Sequence, residues 1–436
     1  MAQPTRILIV GGGFIGLYAA LGLQKRLRPE EADVTLVSPE SFMLYQPFLP
    51  EVASGTIEPR HAVVPLRDVL TRTRLITGMV TGIDHDRRTA MVQPAEGEHY
   101  DVAYEQIVLG VGSDPRVLPI PGLHEEGLGF STIGEAAYLR NRVLSRLDLA
   151  ESTTDARKRA RALTFVFVGG GYSGVEALAE LEDLARDATR KYPSVSREDM
   201  RWILVEARDA ILPEVGDRLG RYALDRLRER SIEVRLGTML ESAAGGRIEL
   251  SDGTVVEADT LVWTAGVRAD ALASRTGWPT GVQDRVEVDE FLRVRGTEGA
   301  WAAGDAAAVP KLDGSGIHPP TAQHAVRQGR LLARNLAAAL RHEELEAFRY
   351  SSLGLLVSLG RYRGVAEVMG RRLRGFPAWL LHRSYHLLMI PTLRRKARVV
   401  ADWTVSLFFE RDIVQLDSLR EPRRSFAGAF DRGKDG

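Results

Sequence analysis

The same short pattern is written twice in this chain. An apolar strand runs into three glycines and then a helix, first as "ILIVGGGFIGLYAALGL" at Ile7–Leu23 and again as "FVFVGGGYSGVEALAEL" at Phe165–Leu181. Each copy holds G-x-G-x-x-G spacing, with Gly11, Gly13 and Gly16 in the first and Gly169, Gly171 and Gly174 in the second. Glycine permits the tight turn and the close backbone approach, so that a pyrophosphate can rest on the positive end of the helix that follows. One such turn can arise from packing alone. Two, each set between a strand and a helix, specify two dinucleotide sites, and the expected fold class is α/β with two Rossmann-like domains.

The surrounding pattern agrees. A strand at Arg6–Val10 and a helix to about Arg28 are followed by a strand from Asp33, which is a βαβ opening. The second copy continues into a long helix with a polar extension to about Arg201, then the strand "WILVEA" ending at Glu206. Near Val288 the pattern changes to "GAWAAGDAAAVP" and the helix "TAQHAVRQGRLLARNLAAAL". The Pro/Gly-rich "VLPIPGLHEEG" reads as a hinge, and residues 421–436 as a disordered tail.

Composition removes several function classes. Lys+Arg and Asp+Glu both number 58, so no net charge favours a nucleic acid. There is no cysteine, which excludes disulfides, thiolate metal sites and a redox-active cysteine pair. The first apolar run reads as too short and too early for a signal peptide, and no stretch is apolar for long enough to span a membrane. His382 and His386 share an i, i+4 spacing, but Arg383 follows the first and no third ligand stands near, so no metal site is expected. An interfacial or dimer-contact role suits the two histidines better.

At the end of the second strand of a dinucleotide unit, an acid binds the ribose hydroxyls. Glu206 holds that position in the second unit and would repel a 2′-phosphate, which favours NADH over NADPH, although Arg208 stands two residues on. In the first unit the position is Ser38, with Glu40 the nearest carboxylate. Asp305, after Gly304 at a strand end, can reach the ribitol and phosphate of a flavin.

This combination resembles the two-dinucleotide-binding flavoproteins of the pyridine nucleotide–disulfide reductase superfamily. There the first unit and a returning segment bind FAD, and an inserted unit binds NAD(P)H. Where disulfide reductases carry their cysteine pair, this chain has "SFMLYQPFLPEVASG", and sulfide:quinone oxidoreductases are excluded for the same lack of sulfur. That stretch, with "GVEALAEL" and "PPTAQHAVRQG", is similar to type II NADH dehydrogenases over nearly the whole chain. The resemblance implies a second domain inserted in the first: residues 1–117 and 286–349 for FAD, 118–285 for NADH, and a C-terminal amphipathic helical section at 350–436. It implies cofactor-binding roles for Gly11, Gly13, Phe14, Ile15, Gly16, Ser38, Gln46, Gly110, Gly112 and Asp305, and for Gly169, Gly171, Tyr172, Ser173, Gly174, Glu206 and Gly266. Glu176 would handle or position a proton, and Gln323 would bond a quinone carbonyl. Where many relatives have a second glutamine, this chain has Arg327, with Gln328 next.

The implied activity is electron transfer from NADH through non-covalent FAD to a membrane quinone, without proton pumping, at the cytoplasmic face of the cell membrane. Two other readings of the residues stand beside it: a soluble NADH-dependent reductase of a small electron carrier, and a flavin-bearing NADH sensor without turnover. For the section Phe376–Phe409, two amphipathic helices interrupted at Pro391 are expected on the lipid surface. Trp379, Leu380, Leu381, Leu387, Leu388 and Ile390 gather on one side and Arg383 leaves it; Arg394, Arg395, Lys396 and Arg398 form a basic cluster. The same helices could instead pack on the body or form a homodimer contact.

The Glu206 assignment carries a direct test. Glu206→Ala is expected to erode the preference for NADH over NADPH, chiefly by weakening NADH, with each tenfold in the ratio of binding constants worth ~1.4 kcal/mol. Equal use of the two nucleotides by the unaltered protein would show that Arg208 or another cation overrides the carboxylate.

Overall fold

The computed structural model describes residues 3–350, 352 and 354–416; the tail expected to be disordered lies outside them. The chain forms two compact units. One takes the described part of 1–45, 63–116 and 266–353, the other 46–62, 117–265 and the described part of 354–436.

In the first unit the strand Thr5–Val10, buried over its last four residues, lies parallel to Ala32–Ser38 on one side and Gln106–Leu109 on the other. The sheet is completed by Ala300–Ala302 beyond Gln106–Leu109, and by Thr73–Asp84, Thr89–Pro94 and Tyr100–Ala103 beyond Ala32–Ser38. Its last two strands are each antiparallel to the strand before, so Thr89–Pro94 turns back and Tyr100–Ala103 resumes the original direction. Because strand order reverses at Thr5–Val10, a crevice opens at that strand's C-terminal end, where doubly wound sheets take their ligands. Helix Phe14–Arg26 packs on helix Ala322–Leu340, and Gly22 allows the approach, since a Cβ there would overlap the Ala333 side chain.

The second unit repeats this plan. Thr164–Val168 is buried throughout and lies between Arg201–Val205 and Thr260–Trp263 in a five-stranded parallel sheet. A small antiparallel sheet adds Leu240, Ile248, Leu250 and Val256 to the core around Val166, Val168, Ile203 and Val205. Helix Tyr172–Ala188 is shorter than its polar pattern suggests. It tightens into the 3-10 turn Thr189–Lys191 and stops, because Pro193 holds Tyr192 in an extended conformation (φ −114°, ψ 97°).

The C-terminal part of this unit is an antiparallel sheet, Gly354–Ser358, Gly364–Val368 and Arg371–Arg374, followed by helices Phe376–Met389 and Leu393–Phe408. The two helices and the break near Pro391 match the amphipathic pattern, but the side chains face differently. Trp379, His382, Arg383 and Ile390 are buried, whereas Leu380 and Leu388 are exposed. Arg383 turns inward because Glu51 accepts its Nη2 at 3.1 Å and the rings of Trp379 and Trp403 lie 4.2 and 4.9 Å from its guanidinium carbon. Removing one partner of such a buried pair typically costs about 3–5 kcal/mol.

His382 is corrected likewise: it is buried and packs inward on helix Tyr172–Ala188, with its ring 4.5 Å from that of the half-buried His386. Among the described residues no helix is long and apolar enough to cross a membrane.

Candidate active site

Helices Phe14–Arg26 and Tyr172–Ala188 start alike. Their N-cap residues are Gly13 and Gly171, neither has a side-chain cap, and neither has an acid in its first turn. Some other helices are capped by side chains: Thr132 and Glu135 form a capping box, and Asp155 and Thr321 accept backbone N–H groups, whereas Asp217–Arg228 and Phe376–Met389 are also headed by an uncapped glycine. What sets Phe14–Arg26 and Tyr172–Ala188 apart is the strand and glycine turn that lead into them, which keep first-turn donors and the positive end of the dipole for an anion.

The glycines divide the work in the same way in both turns. Gly11 and Gly169 adopt φ of +101° and +115°. A Cβ on Gly16 would overlap the Gly11 carbonyl oxygen, and one on Gly174 would overlap that of Gly169. A Cβ on Gly13 or Gly171 would meet nothing within 4 Å. The first glycine makes the turn, the third seats the helix on it, and the second faces open space of the kind a phosphate requires.

Beneath the first turn, Ser38 is buried, and its Oγ would lie 2.5 Å from a Cβ on Gly12. Glu206 sits equivalently under Gly170 and is already engaged: Oε2 accepts Gly170 N–H at 2.5 Å and Oε1 accepts Arg208 N–H at 2.8 Å. Both bonds run to backbone amides, so the carboxylate is fixed in orientation. The Arg208 side chain is exposed. Tyr172 has a buried hydroxyl with no hydrogen-bond partner, and burial pushes its pKa upward, with Glu214 and Glu176 adding to the effect. Ser173 is exposed beside it. Thr264, which the sequence did not single out, donates to Val168 O at 2.9 Å and would crowd a Cβ on Gly174.

In the first unit, Ile15 is buried between two turns, since a Cβ on Gly110 or Gly304 would lie 2.8 Å from its side chain. Only the Ile15 backbone is left to reach a ligand, whereas Phe14 stays partly exposed, with its ring 5.8 Å from that of Tyr45. Gly112 and Gly304 take φ of +82° and +72°. Asp305 Oδ2 accepts the Ser113 hydroxyl at 2.9 Å. Burial pushes the Asp305 carboxyl above the ordinary range, while that bond and the Arg285 charge pull it back. Gln328 is buried and accepts Gly304 N–H at 2.8 Å, so it braces the Gly-Asp turn. Gln46, the first residue of a 3-10 turn, is exposed in the second unit, and Gly266 (φ +80°) is exposed in the first.

Gln323 stands in the first turn of helix Ala322–Leu340, and its Oε1 accepts the Tyr350 hydroxyl at 2.7 Å. That bond orients the amide so that its NH₂ is the donor end. Arg327 stacks its guanidinium 4.0 Å from the centre of the Tyr350 ring and donates to Gln323 O at 2.9 Å. The residue that departs from the family pattern therefore holds Tyr350 against Gln323. Next to them, burial and then the charges of His318, Arg327 and Lys311 bring His324 down to about 4, so it is neutral at pH 7. His324 had no signal beyond its place inside the quoted motif, and Tyr350, well beyond that motif in sequence, had none.

Glu176 is buried in the first turns of helix Tyr172–Ala188. Its Oε1 accepts Ser358 N–H at 2.7 Å and lies 3.2 Å from His382 Nε2. Residues 206 positions apart in sequence meet here, and nothing in the local pattern of either announces the other.

Comparison with known proteins extends this geometry. Residues 5–329 match the family model described as pyridine nucleotide-disulphide oxidoreductase. The chain is 32% identical to a type II NADH:quinone oxidoreductase of Mycobacterium tuberculosis, over 94% of this chain and 90% of that one. It is 30% identical to a probable NADH dehydrogenase of Dictyostelium discoideum, over 94% and 91%. The fold is shared with NDH2 of Plasmodium falciparum solved in complex with NADH, at a TM-score of 0.87 and 17% identity, covering 94% of this chain and 100% of that one.

The division of labour among the glycines predicts two opposite outcomes. Gly174→Ala should destabilise the fold by about 1–3 kcal/mol, because the added methyl must displace backbone. Gly171→Ala should leave the melting temperature nearly unchanged while weakening NADH. Thermal melts with and without NADH separate the two, and normal NADH binding by the Gly171→Ala variant would remove the second turn from the nucleotide site.

Proposed function

Since the chain belongs to the type II NADH:quinone oxidoreductases, within the pyridine nucleotide-disulphide oxidoreductase family, we infer that it oxidises NADH and reduces a membrane quinone, as a peripheral, non-pumping flavoenzyme. The observation that carries the reading is the doubled, uncapped glycine turn in a chain matched over nearly its full length by such enzymes. The net reaction takes NADH, quinone and one proton to NAD⁺ and quinol.

FAD fits the first unit: the Gly11–Gly16 turn and uncapped helix suit its pyrophosphate, and the half-buried Asp305 suits its ribitol hydroxyls. When bound, it supplies an acceptor for the hydride of NADH and passes the electrons on as a pair. We take 1–117 and 286–349 as the flavin domain, 118–285 as the NADH domain and 350–436 as the membrane-association section. In the NADH domain, Gly169, Gly171 and Gly174 cradle the pyrophosphate. Glu206, held by hydrogen bonds from two backbone N–H groups, accepts from the ribose hydroxyls, and Tyr172 offers a hydroxyl whose burial otherwise leaves it unbonded. Glu176 Oε1 lies 3.2 Å from His382 Nε2, a carboxylate–imidazole pair of the kind that suits a reaction consuming a proton.

At the acceptor end, the oriented Gln323 amide donates to a quinone carbonyl, and neutral His324 adds no charge there. Exposed Leu380, Leu388, Leu393 and Phe408 on the C-terminal helices favour a lipid-borne acceptor over a soluble carrier protein.

Gln323→Ala and Tyr350→Phe should each lower quinone reduction, by roughly three- to tenfold for one lost or misaligned hydrogen bond. Reduction of ferricyanide by the same variants should be nearly unchanged. Equal losses with both acceptors would make Gln323 a structural residue only.

A further inference from the structure

Away from the nucleotide and acceptor residues, the second unit contains a cleft of about 430 Å³. It is bordered by the end of helix Tyr172–Ala188, the turn at 361–363 and the segment 407–413. Among the described residues six cations line it, Arg186, Arg190, Lys191, Arg361, Arg363 and Arg411, and the acids that do so are Asp187 and Glu410. Lys191 pairs with Glu410 at 3.0 Å, and Arg190 reaches Asp187 only at 3.8 Å. Arg361 spends its Nη2 on the Ser406 carbonyl. Arg363 approaches Asp183 no closer than 4.0 Å, and that carboxylate already serves Arg186, Arg230 and the Arg361 amide.

A second observation points to a missing anion. The Arg411 side chain is 5% exposed and lies near Glu180 (3.4 Å) and Asp187 (3.7 Å), yet its Nη1 has no hydrogen-bond partner. Arg363 Nη1 is likewise buried without one. Each of these nitrogens faces a carboxylate, Asp187 at 3.7 Å and Asp183 at 4.0 Å, too far for a hydrogen bond, so neither donor is satisfied and the cleft favours an acceptor with several oxygens. The rim is of another character: Leu407, Phe408 and Phe409 are 54%, 78% and 68% exposed.

We propose that this cleft binds the headgroup of an anionic phospholipid, its phosphodiester taken by the more exposed Arg190 and Arg363 over the positive floor that Arg411 provides, and its acyl chains lying over Leu407, Phe408 and Phe409. A free phosphate would use the guanidinium groups but not the apolar rim, which is why a lipid is the occupant of choice. The proposal rests on the reading of the C-terminal helices as the lipid-facing surface. The cleft adds headgroup selectivity to that surface, through residues outside the basic cluster at Arg394–Arg398.

The test uses the full-length, flavin-loaded protein and two double variants, R190Q/R363Q in the cleft and R394Q/R398Q on helix Leu393–Phe408. Flotation with phosphatidylcholine vesicles reads general membrane association. Adding phosphatidylglycerol to the vesicles should raise the affinity of the unaltered protein by about tenfold or more. R190Q/R363Q should lose most of this increment and keep its binding to phosphatidylcholine, its ferricyanide activity and its lipid-free melting temperature. R394Q/R398Q should lose clearly less. Equal losses in the two variants, or no increment in the unaltered protein, would overturn the headgroup site. Monomeric short-chain phosphatidylglycerol provides a membrane-free arm, in which it should raise the melting temperature of the unaltered protein but not of R190Q/R363Q. The same rise with inorganic phosphate at equal concentration would assign the cleft to free phosphate and refute the lipid. Failure to float on any vesicle, with the thermal shift intact, would reject the membrane surface while leaving the cleft as a phospholipid site.

Discussion

The helices Phe14–Arg26 and Tyr172–Ala188 each follow a strand and a glycine turn and begin without a side-chain cap, and much else follows from that. An uncapped first turn leaves N–H groups unsatisfied at the positive end of the dipole, so the head of each helix calls for an anion. Gly16 and Gly174 allow each helix to sit on the carbonyl of the turn before it, and no larger residue could hold the donors there. Around each head the remaining groups complete a nucleotide site in different ways. Under Gly170 lies a carboxylate, Glu206; under Gly12 lies a hydroxyl, Ser38. On the proposed reading, Glu206 would select a free ribose in the second unit, and Asp305, on a returning segment, would supply the carboxylate of the first.

Helix Tyr172–Ala188 does more than present that head. Glu176, Glu180, Glu182 and Asp183 are all buried on it, an expensive arrangement unless each is met by a partner. Arg230 meets Glu182 and Asp183, Arg411 meets Glu180, His382 meets Glu176, and the amides of Ser358 and Arg361 close the network. Arg230 follows the helix Asp217–Arg228, and the other partners come from the C-terminal sheet and its first turn, the helix Phe376–Met389 and the segment after Phe408. The acidic helix is therefore what ties the C-terminal section to the second unit. Burial pushes the Glu180 carboxyl above its ordinary range, and the Arg411 charge opposes the shift.

The two glycine turns, their flanking strands and the Gly-Asp turn could be read in sequence because each is local: the residues that make the shape are the residues that make the motif. The same holds for Glu206, whose place is set by the end of its own strand. What could not be read are pairings fixed only by the fold. Arg383 looks like a polar-face residue on a helical wheel, yet Glu51 and two tryptophans draw it inward. His382 has no local sign that it meets Glu176. Arg327 reads as a departure from a glutamine pattern, and only the Tyr350 ring beneath it gives the substitution a reason. Helix Tyr172–Ala188 seemed longer because its polar extension suits a helix, while the stop comes from Pro193 acting on the residue before it.

The central claim is that one chain holds an electron donor and a flavin and passes the pair to a quinone. An anaerobic titration of the flavin-loaded protein with NADH, followed by a short-chain quinone, tests it most directly. The account predicts that one equivalent of NADH bleaches the flavin absorbance of one chain, and that one equivalent of quinone restores it. Bleaching by NADH that quinone cannot reverse, or NADH binding with no bleaching at all, would contradict it.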